Sequence, residues 1–238
     1  MFEKIFIGII SINRKNAEKT KKRISKSLQI PLQLINIFVF PIEKDKTQKN
    51  KAISISHQNI IKQAYEDNEF VLIFEEDVDF YENQNNHEIF KNSFLQIQKI
   101  KDWDILFLGC FNPLYYNNVD VNLEKVYYGL GTHGYILSKK GMKKVINFDF
   151  TNIQNIPFFD VSLQQIDFGV TGLMNGYQMK PMIAYQNKTP RLISFINNYY
   201  NRKGSFQNLM HKYIKIFWHI ILIIILIILL KLYYLFKN

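Results

Sequence analysis

The chain has 238 residues and a formal net charge of +10, and 47% of it is hydrophobic against only 10 Gly and 6 Pro. That much apolar surface closes a sizeable core and excludes a disordered or collagen-like chain. The sole cysteine, Cys110, excludes an internal disulfide and a multi-cysteine zinc site. It reads as a small buried hydrophobe in a protein of a reducing compartment. The lysines are spread along helices, with no basic stripe interleaved with stacking aromatics, so nucleic acid is not an expected partner.

The opening "MFEKIFIGIISINRK" is apolar over too short a run to span a membrane, contains Glu3 and lacks a small-residue cleavage site, which predicts a strand and not a signal peptide. Lys4 to Ile12 is Ile-rich with little alternation, as in a parallel strand buried on both faces. Asn16 to Gln29 predicts a surface helix with a narrow apolar side, stopped before Pro31. "LQLINIFVF" is a second strand, ended by Pro41. The polar run Glu43 to Lys51 predicts a loop, after which Ser54 or Ser56 caps a helix running to about Asp67. "EFVLIF" is a third strand, His87 to Ile100 a helix, "DILFLG" a fourth strand, and "HGYILS" a short strand leading into a helix at "KKGMKKVINF". Strands alternating with helices imply an α/β sheet, mostly parallel, with helices on both faces and ligands at the strand carboxyl ends.

The last part of the chain differs. Residues 1–196 form the expected globular domain, and a basic, Tyr- and Asn-rich linker follows over 197–215. From Ile216 to Phe236 an apolar run is interrupted only by His219 and Lys231. As a helix it is roughly 31 Å long, matching a hydrocarbon core of about 30 Å. Trp218, Tyr233 and Tyr234 fall where amphipathic rings favour the interface, and Lys231 can snorkel outward. Arg202, Lys203, Lys212 and Lys215 precede the run, whereas only Lys231 and Lys237 lie within or after its end. The positive-inside tendency then predicts a single-pass tail anchor with the large domain in the cytosol.

Chemistry concentrates at "VLIFEEDVDF", where four apolar residues run into Glu75, Glu76, Asp77 and, after Val78, Asp79. Like charges at one strand end repel unless a cation, hydrogen bonds or water take up the field. Hard oxygen donors at this place suit Mg²⁺ or Mn²⁺, which keep coordination sites open for substrate phosphates. A solvated loop or a set of helix caps accounts for the same acids without a ligand. In strand geometry Glu75 and Asp77 share one face and Glu76 the other, unless a turn redirects them. Asp104, in "DWDI", offers a second Asp-x-Asp but lies at the entrance of its strand, the wrong end for a site.

The ordered blocks "SINRKNAEKTKKR", "SISHQNIIKQA", "VLIFEEDVDF", "WDILFLG", "THGYILSKKGMKKVI", "PFFDVSL" and "KPMIAYQ" resemble glycosyltransferase family 25, which includes lipooligosaccharide and procollagen galactosyltransferases. The resemblance runs from Lys4 to about Gln186. It implies a GT-A-like, Rossmann-type α/β fold, a UDP-sugar donor, a Mn²⁺ or Mg²⁺ ion and transfer of a hexose, galactose or glucose, to a glycan, lipid-linked or protein hydroxyl with inversion at the sugar carbon. By position Glu75, Glu76 and Asp77 match the family's Glu-Asp-Asp motif, with Glu76 standing where the family usually has Asp. Glu76 and Asp77 are then the metal ligands, and Glu75 lies beside the donor. Asp160 matches the late acidic position of the acceptor base, with Asp167 in reserve; Asp160 serves equally well as the cap of a helix at "VSLQQI". Arg14 matches a basic position that pairs with donor phosphate, or is an exposed surface arginine; Ser56 and His57 match a Ser-His pair at a helix start near the nucleotide, where capping alone also explains Ser56; and Gln186 matches a residue that closes the pocket, or makes a strand-end hydrogen bond. His57 and His133 are both candidate site residues, and for each a structural role in the core is the plainer alternative. Two other readings use the same acids: a degenerate relative that binds without turnover, and a metal-dependent nuclease or nucleotidyltransferase, which needs a cationic groove. For the tail, deleting Ile216 to Asn238 is expected to release the protein from membranes; unchanged sedimentation after a carbonate wash would contradict the anchor.

Overall fold

A computed structural model describes residues 2–40, 46–82, 84–109, 116–126, 133–149, 174–186 and 219. The chain-order elements are β1 (Ile5–Ser11), α1 (Arg14–Leu28), a 3₁₀ turn (Leu32–Leu34), β2 (Ile35–Val39), α2 (Lys46–Tyr65), β3 (Phe70–Glu75), β4 (Val78–Phe80), α3 (Asn86–Ile97), β5 (Ile105–Phe107), β6 (Tyr116–Asp120), β7 (Leu123–Val126), β8 (Gly134–Ser138), α4 (Lys139–Asn147), β9 (Gly176–Met179) and β10 (Ala184–Gln186). Among the described residues these strands form an eight-stranded sheet, ordered β2-β1-β3-β8-β5-β9-β7-β6, and a small β10-β4 pair. The expected mostly parallel sheet is present: β8 and β7 run against the sense shared by the others.

Helices cover both faces, as the alternation of elements requires. On one face Ala17, Ile24 and Leu28 of α1 and Phe90, Phe94 and Ile97 of α3 pack on Ile7, Ile9, Leu72, Phe74 and Leu106. On the other, Ile60, Ile61 and Ala64 of α2 and Met142 and Val145 of α4 pack on Val71, Ile73, Tyr135 and Leu137. β1 and β3 are buried almost throughout because they lie inside the sheet under helices on both sides. Asn13 starts α1 by accepting from the backbone N–H groups of Lys15 and Asn16, and Gln29 ends it in the left-handed conformation at φ 54°.

Three expectations are corrected. Leu32 to Leu34 form a 3₁₀ turn, closed by Leu34 N–H on the Pro31 carbonyl at 3.0 Å, so the second strand begins at Ile35. The polar run expected to be a loop through Lys51 is helical from Lys46, because Lys and Gln are good helix formers and a missing apolar stripe does not alter backbone propensity. Ser54 and Ser56 therefore lie inside α2, beyond its first turn, and not at its start; the Ser56 hydroxyl donates back to the Ala52 carbonyl at 2.8 Å. β4, β6, β7, β9 and β10, at three to five residues each, were not anticipated. Residues 187–218 and 220–238, and with them the expected linker and nearly all of the apolar segment, lie outside the described residues. So do Cys110, Asp160 and Asp167. Among the described residues no helix is long and apolar enough to cross a membrane.

Two packing details fix the carboxyl edge of the sheet. Ile183 N–H donates to the Leu108 carbonyl at 2.8 Å, drawing the chain before β10 against the end of β5. A Cβ on Gly109 would stand 2.2 Å from the Ala184 carbonyl oxygen, so only glycine permits this approach. Gly109→Ala is expected to cost about 1–3 kcal/mol in urea unfolding; an unchanged midpoint and slope would contradict the contact. Beside it His133 is fully buried, and burial lowers its pKa from 6.5 to about 4 against the opposing pull of Glu75 and the Ala184 carbonyl. The unfolded imidazole takes its proton near 6.5 and the folded one only near 4, so between these values the unfolded state binds more protons and stability falls as pH falls. Unfolding midpoints at pH 7 and 4.5, compared for the protein and His133→Gln, should show the smaller acid loss in the variant, by at most about 3 kcal/mol. Equal losses would remove His133 from the account.

Candidate active site at the carboxyl ends of the strands

β3 delivers the acidic run to the carboxyl edge of the sheet, and the chain turns there before β4. Glu75, Glu76, Asp77 and Asp79 are all half-buried, so none can rely on bulk water alone. Each meets a different element. Glu75 ends β3 on the α2 face, with its Oε1 3.5 Å from Nε2 of the buried His57. Glu76 faces the opposite side, where it accepts a short hydrogen bond from the hydroxyl of Ser11 at the end of β1. Its backbone carbonyl accepts from Thr20 Oγ1 at 2.5 Å and from Arg23 Nη2 at 3.3 Å, both on α1. Asp77, in the turn, accepts from Gln186 Nε2 at 3.1 Å across 109 residues of sequence. Asp79 pairs with Arg23 Nη1 at 3.1 Å.

The β10-β4 pair explains why Gln186 can reach. Antiparallel register sets Gln186 opposite Val78 and Tyr185 opposite Asp79, folding the β10 strand over the turn. The strand periodicity holds for Glu75 and Glu76, which face α2 and α1 respectively, while the turn carries Asp77 to β10. Gln186 thus makes a strand-end hydrogen bond to the acidic turn.

Local fields follow the same arrangement. Burial, and then the Glu75 carboxylate, hold the Tyr135 hydroxyl well above the ordinary phenol range. Tyr185 is pushed up to about 12 by burial, with Asp79 and Glu82 adding and Arg23 opposing. Tyr81, packed on Tyr185 at a ring separation of 5.0 Å, is raised further by burial. Burial is the largest cause in all three, and it disfavours the ionised form of each hydroxyl.

His57, Glu75, Glu76, Asp77 and Gln186, singled out from sequence, are therefore brought together. Arg14 stands just past β1 but is exposed, and pairs with Glu18 of its own helix at 3.3 Å. Ser56 is buried within α2, one residue before His57. Asp104 lies at the other edge of the sheet, fully buried, accepting from Lys144 Nζ at 2.6 Å and Asn175 N–H at 2.7 Å, as expected of a residue at a strand entrance. Ser11, Thr20, Arg23 and Tyr135 were not singled out. Thr20 carried a legible signal, a polar residue between Ala17 and Ile24 on the buried stripe of α1.

Among the described residues no group of three or more His, Cys, Asp or Glu side chains forms a metal centre. A divalent ion that uses one or two carboxylates and completes its shell with water and substrate phosphates needs no such group. Glu76 and Asp77, adjacent hard donors each steadied by a neutral hydrogen-bond donor, fit that requirement.

The sequence matches the family described as glycosyltransferase family 25 (LPS biosynthesis protein) over residues 11–158. No curated protein matches the chain. Among solved structures, a glycosyltransferase involved in the glycosylation of the major capsid of PBCV-1 is similar at 14% identity and a TM-score of 0.47, over 79% of this chain and 96% of that one. UDP-glucose pyrophosphorylase complexed with UDP-glucose is similar at 11% identity and a TM-score of 0.46, over 83% and 82%. A Drosophila beta-1,4-galactosyltransferase 7 variant, in complex with manganese, UDP-Gal and xylobiose, is similar at 7% identity and a TM-score of 0.40, over 79% and 72%. The family match covers more than half of the sequence and takes in Ser11, all of α1, His57 and the run Glu75 to Asp79, and the chain belongs to glycosyltransferase family 25.

Proposed function

We propose that this family 25 protein transfers a hexose, galactose or glucose, from a UDP-sugar to a hydroxyl of a glycan, lipid-linked or protein acceptor, with inversion at the sugar carbon. The observation that carries this reading is the separate anchoring of three consecutive carboxylates by His57, Ser11 and Gln186. A solvated acidic loop has no need of partners drawn from α2, β1 and β10. Residues held this way present charge at fixed positions, which is what recognition of a developing charge demands.

In this reading Glu76 and Asp77 hold a Mn²⁺ or Mg²⁺ ion. When bound, that ion supplies a Lewis acid for the negative charge that grows on the departing diphosphate. Ser11 and Gln186 keep the two carboxylates oriented, and Arg23 neutralises the neighbouring Asp79 so that the corner does not repel the donor. Glu75 faces the nucleotide, His57 and Ser56 support that side from within α2, and Arg14 takes a donor phosphate. Asp160, or Asp167 in its place, accepts the proton of the acceptor hydroxyl as that oxygen attacks the sugar carbon. The apolar run Ile216 to Phe236 tethers the enzyme to a membrane, with its catalytic domain in the cytosol.

Binding without turnover is the second reading, and Glu76 favours it, since one added methylene displaces a ligand oxygen from where the family's Asp would hold it. One assay separates the two. The purified protein, Mn²⁺ and a panel of UDP-sugars are incubated with and without acceptors, and UDP release is followed. Asp77→Asn is expected to lower release about a hundredfold or more. Gln186→Leu, which leaves Asp77 in place but unsupported, should lower it about tenfold and be partly rescued by excess Mn²⁺. UDP binding with no sugar-dependent release in the unaltered protein would establish the binding module.

A further inference from the structure

Behind the acidic corner lies a polar pair enclosed in the core. Tyr135 of β8 and His57 of α2 are both wholly buried, their rings stack at 5.8 Å between centroids, and the Tyr135 hydroxyl lies 2.7 Å from His57 Nδ1. The other nitrogen of the ring, Nε2, stands 3.5 Å from Glu75 Oε1. β8 pairs with β3 so that Tyr135 is opposite Ile73, two residues before Glu75 on the same face. The three side chains therefore form a line from the middle of the sheet to its carboxyl edge.

We propose that Tyr135 is a positioning residue: its hydroxyl donates to His57 Nδ1, fixes the imidazole as the Nε2–H tautomer, and so aims a donor at Glu75. Two proton arrangements satisfy a 2.7 Å contact between a phenol and a neutral imidazole, and their surroundings separate them. If Nδ1 carried the proton, the phenol would accept, its own O–H would need a second acceptor inside the core, and the bare Nε2 lone pair would face a carboxylate. A stranded buried donor and a repulsive contact would both result, and each is costly in a low dielectric. With Tyr135 donating, its proton and Nδ1 are matched, and the positive end of Nε2–H faces Glu75 Oε1 across 3.5 Å, an electrostatic contact longer than a close hydrogen bond. Held at this contact, His57 restrains Glu75 at the strand end. An acid so oriented suits a polar donor group of the bound nucleotide sugar, such as a ribose or sugar hydroxyl; this last step rests on the glycosyl transfer proposed above.

The tautomer is read by nitrogen NMR of the full chain labelled at histidine, at a pH where imidazoles are neutral, with the His57 signals identified by their loss in His57→Gln. Protonation at Nε2 in the unaltered protein is expected, and a mixture of tautomers in Tyr135→Phe. Protonation at Nδ1, or an imidazolium, in the unaltered protein would overturn the proposal, and this result does not depend on whether the variant folds. The kinetic test uses the fact that a glutamine amide has no tautomers. Tyr135→Phe should lower kcat/KM for the donor about tenfold in the natural background but less than about twofold when His57→Gln is already present. Equal losses in both backgrounds would mean that Tyr135 acts only by packing. Absence of turnover in the unaltered protein would defeat the functional reading while leaving the tautomer assignment to the spectrum.

Discussion

Mutual repulsion among Glu75, Glu76 and Asp77 is the constraint around which this end of the molecule is organised. Three adjacent carboxylates at the end of a buried strand cannot all lean on water, and each is instead turned toward a partner from a separate part of the chain. Because those partners come from α2, β1 and β10, the corner exists only when these elements have come together around the end of β3. Arg23 extends the same solution to Asp79, tying α1 to β4. The cost of concentrating like charge is met by long-range contacts, and those contacts give the acids fixed directions.

The rest of the fold serves this arrangement. β1 and β3 lie side by side and parallel, so Ser11 and Glu75 emerge at the same edge. The reversed strand β8 brings His133 and Tyr135 next to that edge from the far side of β3. Gly109 admits the chain before β10, and β10 then folds Gln186 over Asp77. Geometry made in this way is sensitive to small displacements at a distance, because a shift of β10 alone removes the hydrogen bond that orients Asp77.

Much of the frame was legible in sequence because it rests on patterns with strong local causes. The Ile-rich run of β1, the apolar run of β3 and the stop before Pro31 all declare themselves through period, composition and backbone restriction. The acids at the end of β3 stood out for the same reason, as did the family likeness that pointed to His57 and Gln186. The start of α2 was hidden because a helix without an apolar stripe has the composition of a loop, and that error turned Ser56 into a cap it is not. β4 and β10 are three residues each and exist through their pairing with one another, a tertiary fact with no local signature. Arg23 and Tyr135 escaped for a related reason: nothing in their neighbours along the chain shows that one reaches Asp79 and the other His57.

What the carboxylate corner is for can be tested by its affinity. Calorimetric titration of UDP into the full chain, with and without Mn²⁺, measures whether the acids beyond β3 gather an ion and a diphosphate together. Binding that is strong with Mn²⁺, weak without it and abolished by Asp77→Asn is the result expected. Equal UDP affinity in all three cases would show that Glu76 and Asp77 serve only the packing of the turn.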